Sequence, residues 1–301
     1  MESNIPGFLK EMLETQYGIE IAEKIINGYM ADRKVTLRIN TLKSDRQNVL
    51  DKLLEAGIEV EIVPWSKEAI IIKNVREKEI QALEIYEKGD IYLQSLSSML
   101  PPILLDPKPE ADILDMAAAP GGKTTQMAAL SENRAHITAC EMNPIRAERL
   151  KYNIEKQGAT CAYVMVTDAR RMDSFFSFDQ ILLDAPCSGS GTLNIKDEHL
   201  ENYFTKKLIE KSICSQTALL KKAIDMLKSG KEMIYSTCSI LECENEEIIK
   251  KGLATGKIEI VPIKWEGLKD IPLLPTKIDG TIAVCPNALF EGFFVAKIRK
   301  K

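Results

Sequence analysis

The chain has 301 residues, and 40 lysines and arginines against 44 aspartates and glutamates give it a formal net charge of −4. This mild acidity excludes a uniformly basic, histone-like nucleic-acid binder, although it leaves room for a local basic groove. Hydrophobic residues at 45% and charged residues at 28% are typical of globular proteins, and the length suffices for one large domain with a small companion.

The opening segment MESNIPGFLKEMLETQYGIE carries acidic residues throughout and no long apolar run. We therefore expect neither a signal peptide nor a mitochondrial presequence. Seven cysteines, an odd number without a dense framework, indicate reduced thiols and predict a cytoplasmic location. Two histidines leave little material for a zinc site or a Ser-His-Asp triad.

The first 90 residues predict a small α+β module. Pro6 opens an amphipathic helix, and the spacing of Ile21 and Ile25 indicates a second one. The segment KVTLRINT then alternates like a half-buried strand. Ser44 is the predicted N-cap of a helix that stops at Gly57, and two short strands, IEVEIV and AIIIK, follow.

Residues 91–301 predict a larger α/β domain. Five apolar runs, ADILDM, HITACEM, CAYVMVTD, FDQILLDAP and EMIYSTCS, alternate with helical patterns. This alternation predicts a doubly wound, Rossmann-like parallel sheet, with the closing run NALFEGFFVAKIRK as a terminal hairpin. Ligands of such sheets bind at the carboxyl ends of the strands.

The loop DMAAAPGGKT joins the first of these strands to a helix. A phosphate-binding loop would need G-x-x-x-x-G-K-[ST], and residues 117 to 124 match except at Ala117. A nucleotide-hydrolysing enzyme would then use Lys123, Thr124 and Asp184 for nucleotide and magnesium. The dinucleotide fingerprint G-x-G-x-x-G is absent from this loop.

S-adenosylmethionine is the competing ligand, because it needs a tight glycine turn and a carboxylate for its ribose hydroxyls. Glu141 ends the second strand, where that carboxylate is required. Asp168 ends the third strand and can accept from the adenine amino group, and Asp184 ends the fourth, beside the methyl-donor end. Each acid alone is as well explained as a helix N-cap. Three acids at consecutive strand ends beside Gly-Gly favour the methyl donor.

Two cysteines, Cys187 and Cys238, follow the fourth and fifth strands in polar turns. Carbon 5 of cytosine is a poor nucleophile until a group adds to carbon 6, and a thiolate both adds and leaves readily. A positive neighbour such as Lys123 would help a thiol to ionise. A zinc site is disfavoured, because Cys238 and Cys243 have no second pair and no nearby histidine.

With Pro-Cys after one strand and Thr-Cys after the next, the chain resembles the RNA cytosine-5 methyltransferases of the Sun type, which include bacterial small-subunit rRNA enzymes and archaeal and eukaryotic tRNA or rRNA enzymes. The matching segments are LRINTLK, GDIYLQSLSSM, DMAAAPGGKT, LDAPCSGSGT, YSTCSILECENEEI and GFFVAKIRK. The resemblance implies a covalent cysteine–cytosine intermediate. It makes Cys238 the nucleophile, Cys187 the residue that assists release, and Asp184 the group that hydrogen-bonds the ring near N3.

The resemblance also implies a cofactor-binding set. Its members are Ala117, Ala118, Ala119, Pro120, Gly121, Gly122, Lys123, Glu141, Arg146, Asp168 and Asp184. The chain departs from the family at Ala117, where Cys is frequent, and at Ser95, where Asp usually follows the Gln. No catalytic atom is lost by either change, but Ser95 puts a supporting contact in question.

RNA is the expected partner, and residues 1–90 would help to position it for the catalytic domain at 91–301. Basic or polar residues near the carboxyl edge of the sheet are the candidate contacts: Lys34, Arg38, Asn40, Arg170 and Arg171. The segment VPW favours rRNA over tRNA. We expect a monomer that binds no membrane and no metal. The alternatives are the nucleotide hydrolase and a non-catalytic RNA-binding protein with a methyltransferase fold, which the intact thiol pair disfavours.

Overall fold

The computed structural model describes residues 5–173 and 175–301. Helices α1 to α11 cover Gly7–Tyr17, Ile19–Met30, Arg46–Glu55, Glu77–Gln81, Glu84–Glu87, Leu96–Leu105, Gly122–Leu130, Pro144–Gln157, Leu200–Tyr203, Lys206–Met226 and Glu246–Leu253. Strands β1 to β13 cover Thr36–Ile39, Val60–Ile62, Ala69–Ile72, Ile91–Leu93, Asp112–Asp115, His136–Glu141, Ala162–Val166, Phe178–Asp184, Leu227–Thr237, Ile258–Ile260, Leu273–Leu274, Ile282–Val284 and Phe293–Lys300. Within the two described ranges, none of the helices has the length and apolar composition of a membrane span.

The large sheet has the strand order β11-β12-β13-β9-β8-β5-β6-β7, and β10 pairs with β13. The strands from β9 to β7 run parallel to one another, whereas β13 is antiparallel to β9. The predicted doubly wound sheet is therefore confirmed. The terminal hairpin also forms, but the closing run supplies only β13, and its partner β12 lies just before that run.

The small sheet has the order β2-β3-β1-β4, with antiparallel neighbours throughout. Helix α3 covers one face of it, with Val49 and Leu53 fully buried. The cap of α3 is Asp45, whose side chain accepts from the Asn48 backbone N–H at 2.9 Å. The prediction of Ser44 as the cap is wrong by one residue, because Asp45 is the residue that is extended and next to the first helical turn.

The predicted boundary at residue 90 falls immediately before β4, so the small sheet continues to Leu93. The first four residues of the predicted module lie outside the described residues. Helices α1 and α2 pack into the core of the large domain. Their tyrosines reach the two loops that follow β8 and β9: Tyr29 donates to the Ser190 carbonyl at 2.5 Å, and Tyr17 donates to the Ile240 carbonyl at 2.7 Å. These helices therefore support the carboxyl edge of the large sheet.

The outward face predicted for β1 is wrong, because Arg38 and Asn40 are 2% and 1% exposed. Arg38 donates through Nε to Gln94 Oε1 at 3.0 Å and through Nη2 to Thr125 Oγ1 at 3.1 Å. Asn40 donates to the carbonyls of Gly89 and Gln157, both at 2.8 Å. The polar side of this strand packs against the large domain, so these two side chains are too buried to contact RNA. Lys34, just before the strand, is exposed.

We expect Arg38→Ala to lower the free energy of unfolding by about 2–4 kcal/mol, because it leaves buried polar partners at Gln94 and Thr125 without their donor. Burial lowers the pKa of Arg38 to about 10, so the lost group is a cation at neutral pH. Urea denaturation measures the change. Lys34→Ala is the matched control and should stay within about 0.5 kcal/mol of the parent. Equal effects of the two substitutions would contradict a structural role for Arg38.

Candidate active site

Two thiols meet at the carboxyl edge of the large sheet. Cys187 follows β8 and Cys238 follows β9, and their Sγ atoms are 3.2 Å apart. The two strands are parallel neighbours in register, with Asp184 opposite Ser236, so the turns after them must meet. Both cysteines are reduced and half-buried. The structure thus brings together the two cysteines that the sequence singled out.

A half-buried ion pair lies at the same edge. Lys123 Nζ is 2.7 Å from Asp184 Oδ2 and donates to Ser98 Oγ at 2.8 Å. Ser236 Oγ donates to the other carboxylate oxygen, Oδ1, at 2.7 Å. Burial opposes the charged form of Lys123, but the Asp184 carboxylate outweighs it and raises the lysine pKa, with a smaller contribution from Cys238. Lys123, which the sequence suggested as a positive neighbour of the thiols, is therefore an ammonium held by a carboxylate, and its charge interacts with Cys238.

The two glycines of the first loop make close approaches to protein side chains. Gly121 has a φ of +109°, and a Cβ there would lie 3.0 Å from Leu150 Cδ1. A Cβ on Gly122 would lie 3.0 Å from Tyr92 Cε1. The loop is tied down further by Ala119, whose carbonyl accepts from Arg146 Nη2 at 2.8 Å. Its shape is thus fixed by packing against α8 and β4.

The hydroxyl of Thr124, at the end of the same loop, is not available to a metal or nucleotide. Thr124 is fully buried and donates through Oγ1 to Asp115 Oδ2 at 2.7 Å. Burial raises the pKa of Asp115 to about 7, against the effect of that hydrogen bond. In a phosphate-binding loop the corresponding hydroxyl ligates magnesium. This geometry disfavours the nucleotide hydrolase.

A cleft beside the loop contains several predicted cofactor residues. Ala117, Glu141, Arg146 and Asp168 line it together. Glu141 is 3% exposed; its Oε1 accepts from the Asn143 backbone N–H at 2.8 Å, and Arg146 Nη1 lies 3.4 Å from its Oε2. Each carboxylate oxygen keeps a lone pair for a further donor. A pair of adjacent hydroxyls would fit this acceptor.

Comparison with known proteins identifies the family. The chain matches the family model described as 16S rRNA methyltransferase RsmB/F over residues 102–299. A second model, the ferredoxin-like domain of RsmF/B-like methyltransferases, matches residues 5–77. The chain belongs to the RsmB/F methyltransferase family.

Relatives and solved structures agree with this assignment. The probable ribosomal RNA small subunit methyltransferase B of Bacillus subtilis is 31% identical, over 100% of this chain and 67% of its own length. The tRNA (cytosine(49)-C(5))-methyltransferase of Pyrococcus abyssi is 36% identical, over 97% and 96%. The crystal structure of a methyltransferase homolog from Pyrococcus horikoshii superposes with a TM-score of 0.84 at 32% identity, over 99% and 96%. That of NSun6 from the same organism gives 0.89 at 25% identity, over 100% and 99%.

The RsmB/F chain is therefore a Sun-type, S-adenosylmethionine-dependent RNA methyltransferase, and its cleft fits that cofactor. Asp168 caps the turn after β7, and the Arg170 side chain holds its two oxygens at 2.7 to 3.1 Å. This hydrogen bonding lowers the pKa of Asp168. Arg170, a predicted RNA contact, thus lines the cofactor cleft, whereas Arg171 is exposed beside it. The carboxylates of Glu141 and Asp168 can accept hydrogen bonds from a ligand in this cleft, and the exposed Arg170 guanidinium can donate them. These groups suit a polar nucleoside.

The departure of this methyltransferase at Ser95 is compensated locally. Ser95 Oγ accepts from the Ser98 backbone N–H at 3.3 Å and thereby caps α6. It also donates to Glu291 Oε2 at 2.7 Å, and Arg33 binds the other oxygen of that carboxylate at 3.3 Å. The carboxylate at this place comes from Glu291, and an aspartate at residue 95 would repel it.

Sequence reasoning missed the residues that hold the site together. Ser98 accepts a hydrogen bond from the lysine of the Lys123–Asp184 ion pair, and Ser236 donates one to its carboxylate. Glu244, fully buried, binds the loops that carry both cysteines. The signal for Glu244 is the acidic run ECENEE, which is separated from Thr-Cys by three residues.

Proposed function

We propose that this methyltransferase transfers a methyl group to carbon 5 of a cytosine in RNA through a covalent intermediate on Cys238. The observation that carries the proposal is the pair of thiols, 3.2 Å apart, beside the Lys123–Asp184 ion pair. One reactive thiol would serve addition alone, whereas a second at this distance suits a reaction that must also undo the bond. The Pyrococcus abyssi relative is named for carbon 5 of a tRNA cytosine, and the fission yeast relative nop2 for carbon 5 of a cytosine in 25S rRNA.

Cys238 acts first in this scheme. Its thiolate adds to carbon 6 of the ring, and carbon 5 gains the electron density that it needs to accept a methyl group. Addition also increases the negative charge on N3. Asp184, the group proposed to hydrogen-bond the ring near N3, is paired with Lys123, so a proton donor and an acceptor would be available at the same place. A flipped-out base is required, at a cost of a few kcal/mol.

Cys187 acts in the second half of the reaction. After methylation a solvent base must take the proton from carbon 5, the electron pair of that bond restores the double bond between carbons 5 and 6, and the Cys238 sulfur leaves carbon 6 as a thiolate. The Cys187 thiol lies against the Cys238 sulfur, so it is placed to assist this elimination.

S-adenosylmethionine, when bound, supplies the methyl group. Glu141 would hold the ribose hydroxyls and Asp168 the adenine amino group, because Glu141 ends β6, Asp168 follows β7, and both line the cleft. Arg146 forms an ion pair that orients Glu141, and it donates a hydrogen bond to the loop carbonyl of Ala119. The remaining residues of the loop 117–123 shape the turn that faces the amino-acid end.

We expect Glu141→Gln to weaken binding of S-adenosylmethionine by about 10-fold or more, equivalent to about 1.4 kcal/mol, because a charged acceptor for hydroxyls is replaced by a neutral one. Isothermal titration calorimetry measures the affinity. Glu148→Gln, on the exposed face of α8 and paired only with Lys151 in the structure, should bind like the parent. Unchanged affinity in Glu141→Gln would remove this residue from the cofactor site.

The decisive experiment identifies the product. Labelled S-adenosylmethionine is incubated with the enzyme and unmodified rRNA or tRNA, and the RNA is digested to nucleosides. The proposal expects label in 5-methylcytosine, with rRNA preferred over tRNA, and bisulfite sequencing of RNA from cells with and without the gene should locate it. Label in any other nucleoside would overturn it.

We also propose a cytoplasmic monomer, with Lys34 and Arg171 as the exposed RNA contacts.

A further inference from the structure

A single buried carboxylate links the two loops that carry the thiols. Glu244 accepts from the Ser188 backbone N–H at 2.7 Å and from the Ser188 hydroxyl at 2.6 Å. It also accepts from the Ser239 hydroxyl at 2.6 Å. Ser188 follows Cys187 and Ser239 follows Cys238, so one side chain binds the residue after each cysteine. Glu244 itself has no solvent exposure.

The backbone around this carboxylate is equally constrained. Tyr235 donates its hydroxyl to the Glu244 carbonyl at 2.7 Å. Asn245 accepts from the Thr237 hydroxyl at 2.6 Å and donates to the Ser239 carbonyl at 2.9 Å, so it binds the residues on both sides of Cys238. The position of Glu244 is therefore fixed relative to the nucleophile loop, and through Ser188 it fixes the Cys187 loop as well.

We propose that Glu244 is a positioning residue for the proposed covalent reaction, which sets the spacing of the two thiols and keeps negative charge beside Cys187. This inference rests on the proposed function. Charge-assisted hydrogen bonds are about twice as strong as neutral ones, and one buried carboxylate that accepts three of them from the two cysteine loops makes a stiff link between those loops. Stiffness matters because a small misplacement of reacting groups costs rate steeply.

The charge of Glu244 has a second consequence, which separates the two thiols chemically. The Cys238 thiol, burial and the negative charge of Glu244 together raise the pKa of Cys187 well above its ordinary value. Cys187 therefore remains a protonated thiol at neutral pH. Cys238 contributes to the raised pKa of Lys123, and this charge interaction with the ammonium fits its proposed role as the nucleophile.

The test removes the charge while it keeps the shape. In Glu244→Gln the amide oxygen can accept from the Ser188 N–H, and the amide nitrogen can donate to the hydroxyls of Ser188 and Ser239, which rotate to accept. Alkylation of Cys187 by iodoacetamide is followed between pH 6 and 10, roughly the range in which thiols titrate, in a Cys238→Ala background. Peptide mass spectrometry separates Cys187 from the exposed Cys214.

We expect Glu244→Gln to shift the midpoint of Cys187 alkylation to lower pH by about one unit or more, because a nearby negative charge is lost. Glu246→Gln is the matched control: Glu246 is also buried and two residues away, but its carboxylate is hydrogen-bonded to the Lys277 backbone at 3.5 Å and to neither cysteine loop. An unshifted midpoint in Glu244→Gln, or an equal shift in Glu246→Gln, would overturn the charge role.

Kinetics test the positional role in the variant Glu244→Ala, with Cys187 and Cys238 intact. We expect kcat to fall by about 100-fold while KM for RNA stays within about twofold, since a misplaced reacting group is the only loss. S-adenosylmethionine affinity serves as the check that the variant is folded. A raised KM with unchanged kcat would overturn the positional role. The alkylation readout needs no turnover, so it stands even where the proposed function fails.

Discussion

Cys238→Ala should abolish methyl transfer to RNA, with a loss of about 10⁴-fold or more in single-turnover rate. The reason is chemical: without addition at carbon 6, carbon 5 of cytosine does not attack a methyl donor, and no other group takes the place of the thiolate. The sulfur in contact with that of Cys238 belongs to Cys187, which burial and the charge of Glu244 hold in the thiol form. The measurement is incorporation of labelled methyl groups into RNA.

The loss must come from chemistry and not from misfolding or failed binding. Cys238→Ala should therefore bind S-adenosylmethionine and RNA with the affinity of the parent. Cys214→Ala is the matched control, because Cys214 is an exposed thiol on α10; its activity should equal that of the parent. Residual methylation of cytosine by Cys238→Ala would show that the nucleophile has been assigned to the wrong residue.

The strands β5, β6 and β8 of the large sheet could be predicted because both of their faces are largely buried, which leaves nearly uninterrupted apolar runs in the sequence. The same reasoning placed Cys187 and Cys238 at one edge, since residues after neighbouring parallel strands must meet. Their separation of 3.2 Å could not be predicted. It depends on the paths of two loops, which are fixed by hydrogen bonds between residues far apart in the chain.

The small sheet shows where alternation misleads. In KVTLRINT the polar residues alternate with apolar ones, and alternation indicates one buried and one solvated face. A second domain covers the polar face here, so Arg38 and Asn40 are buried and hydrogen-bonded. Nothing local distinguishes a polar face in water from one that is satisfied by another domain. The role of Glu244 could not be predicted either, because its hydrogen-bond partners lie on two loops and the local sequence does not identify them.

Cys187→Ala should trap a covalent complex between the enzyme and RNA that survives denaturing electrophoresis. Cys238 still adds to the ring and carbon 5 still accepts its methyl group, but elimination of the Cys238 sulfur loses the thiol that lies 3.2 Å away. If release becomes the slowest step, the adduct becomes the main enzyme species. Labelled RNA then migrates with the protein on a denaturing gel, and protease digestion abolishes the shifted band.

The double variant Cys187→Ala/Cys238→Ala is the control, because it has no nucleophile and should give no band. The absence of a shifted band in the double variant would show that the adduct forms on Cys238 and not on another of the free thiols. Adducts in Cys238→Ala, with none in Cys187→Ala, would exchange the two roles. The gel therefore distinguishes attack from release directly, which rates of methylation cannot do, since both single variants slow turnover.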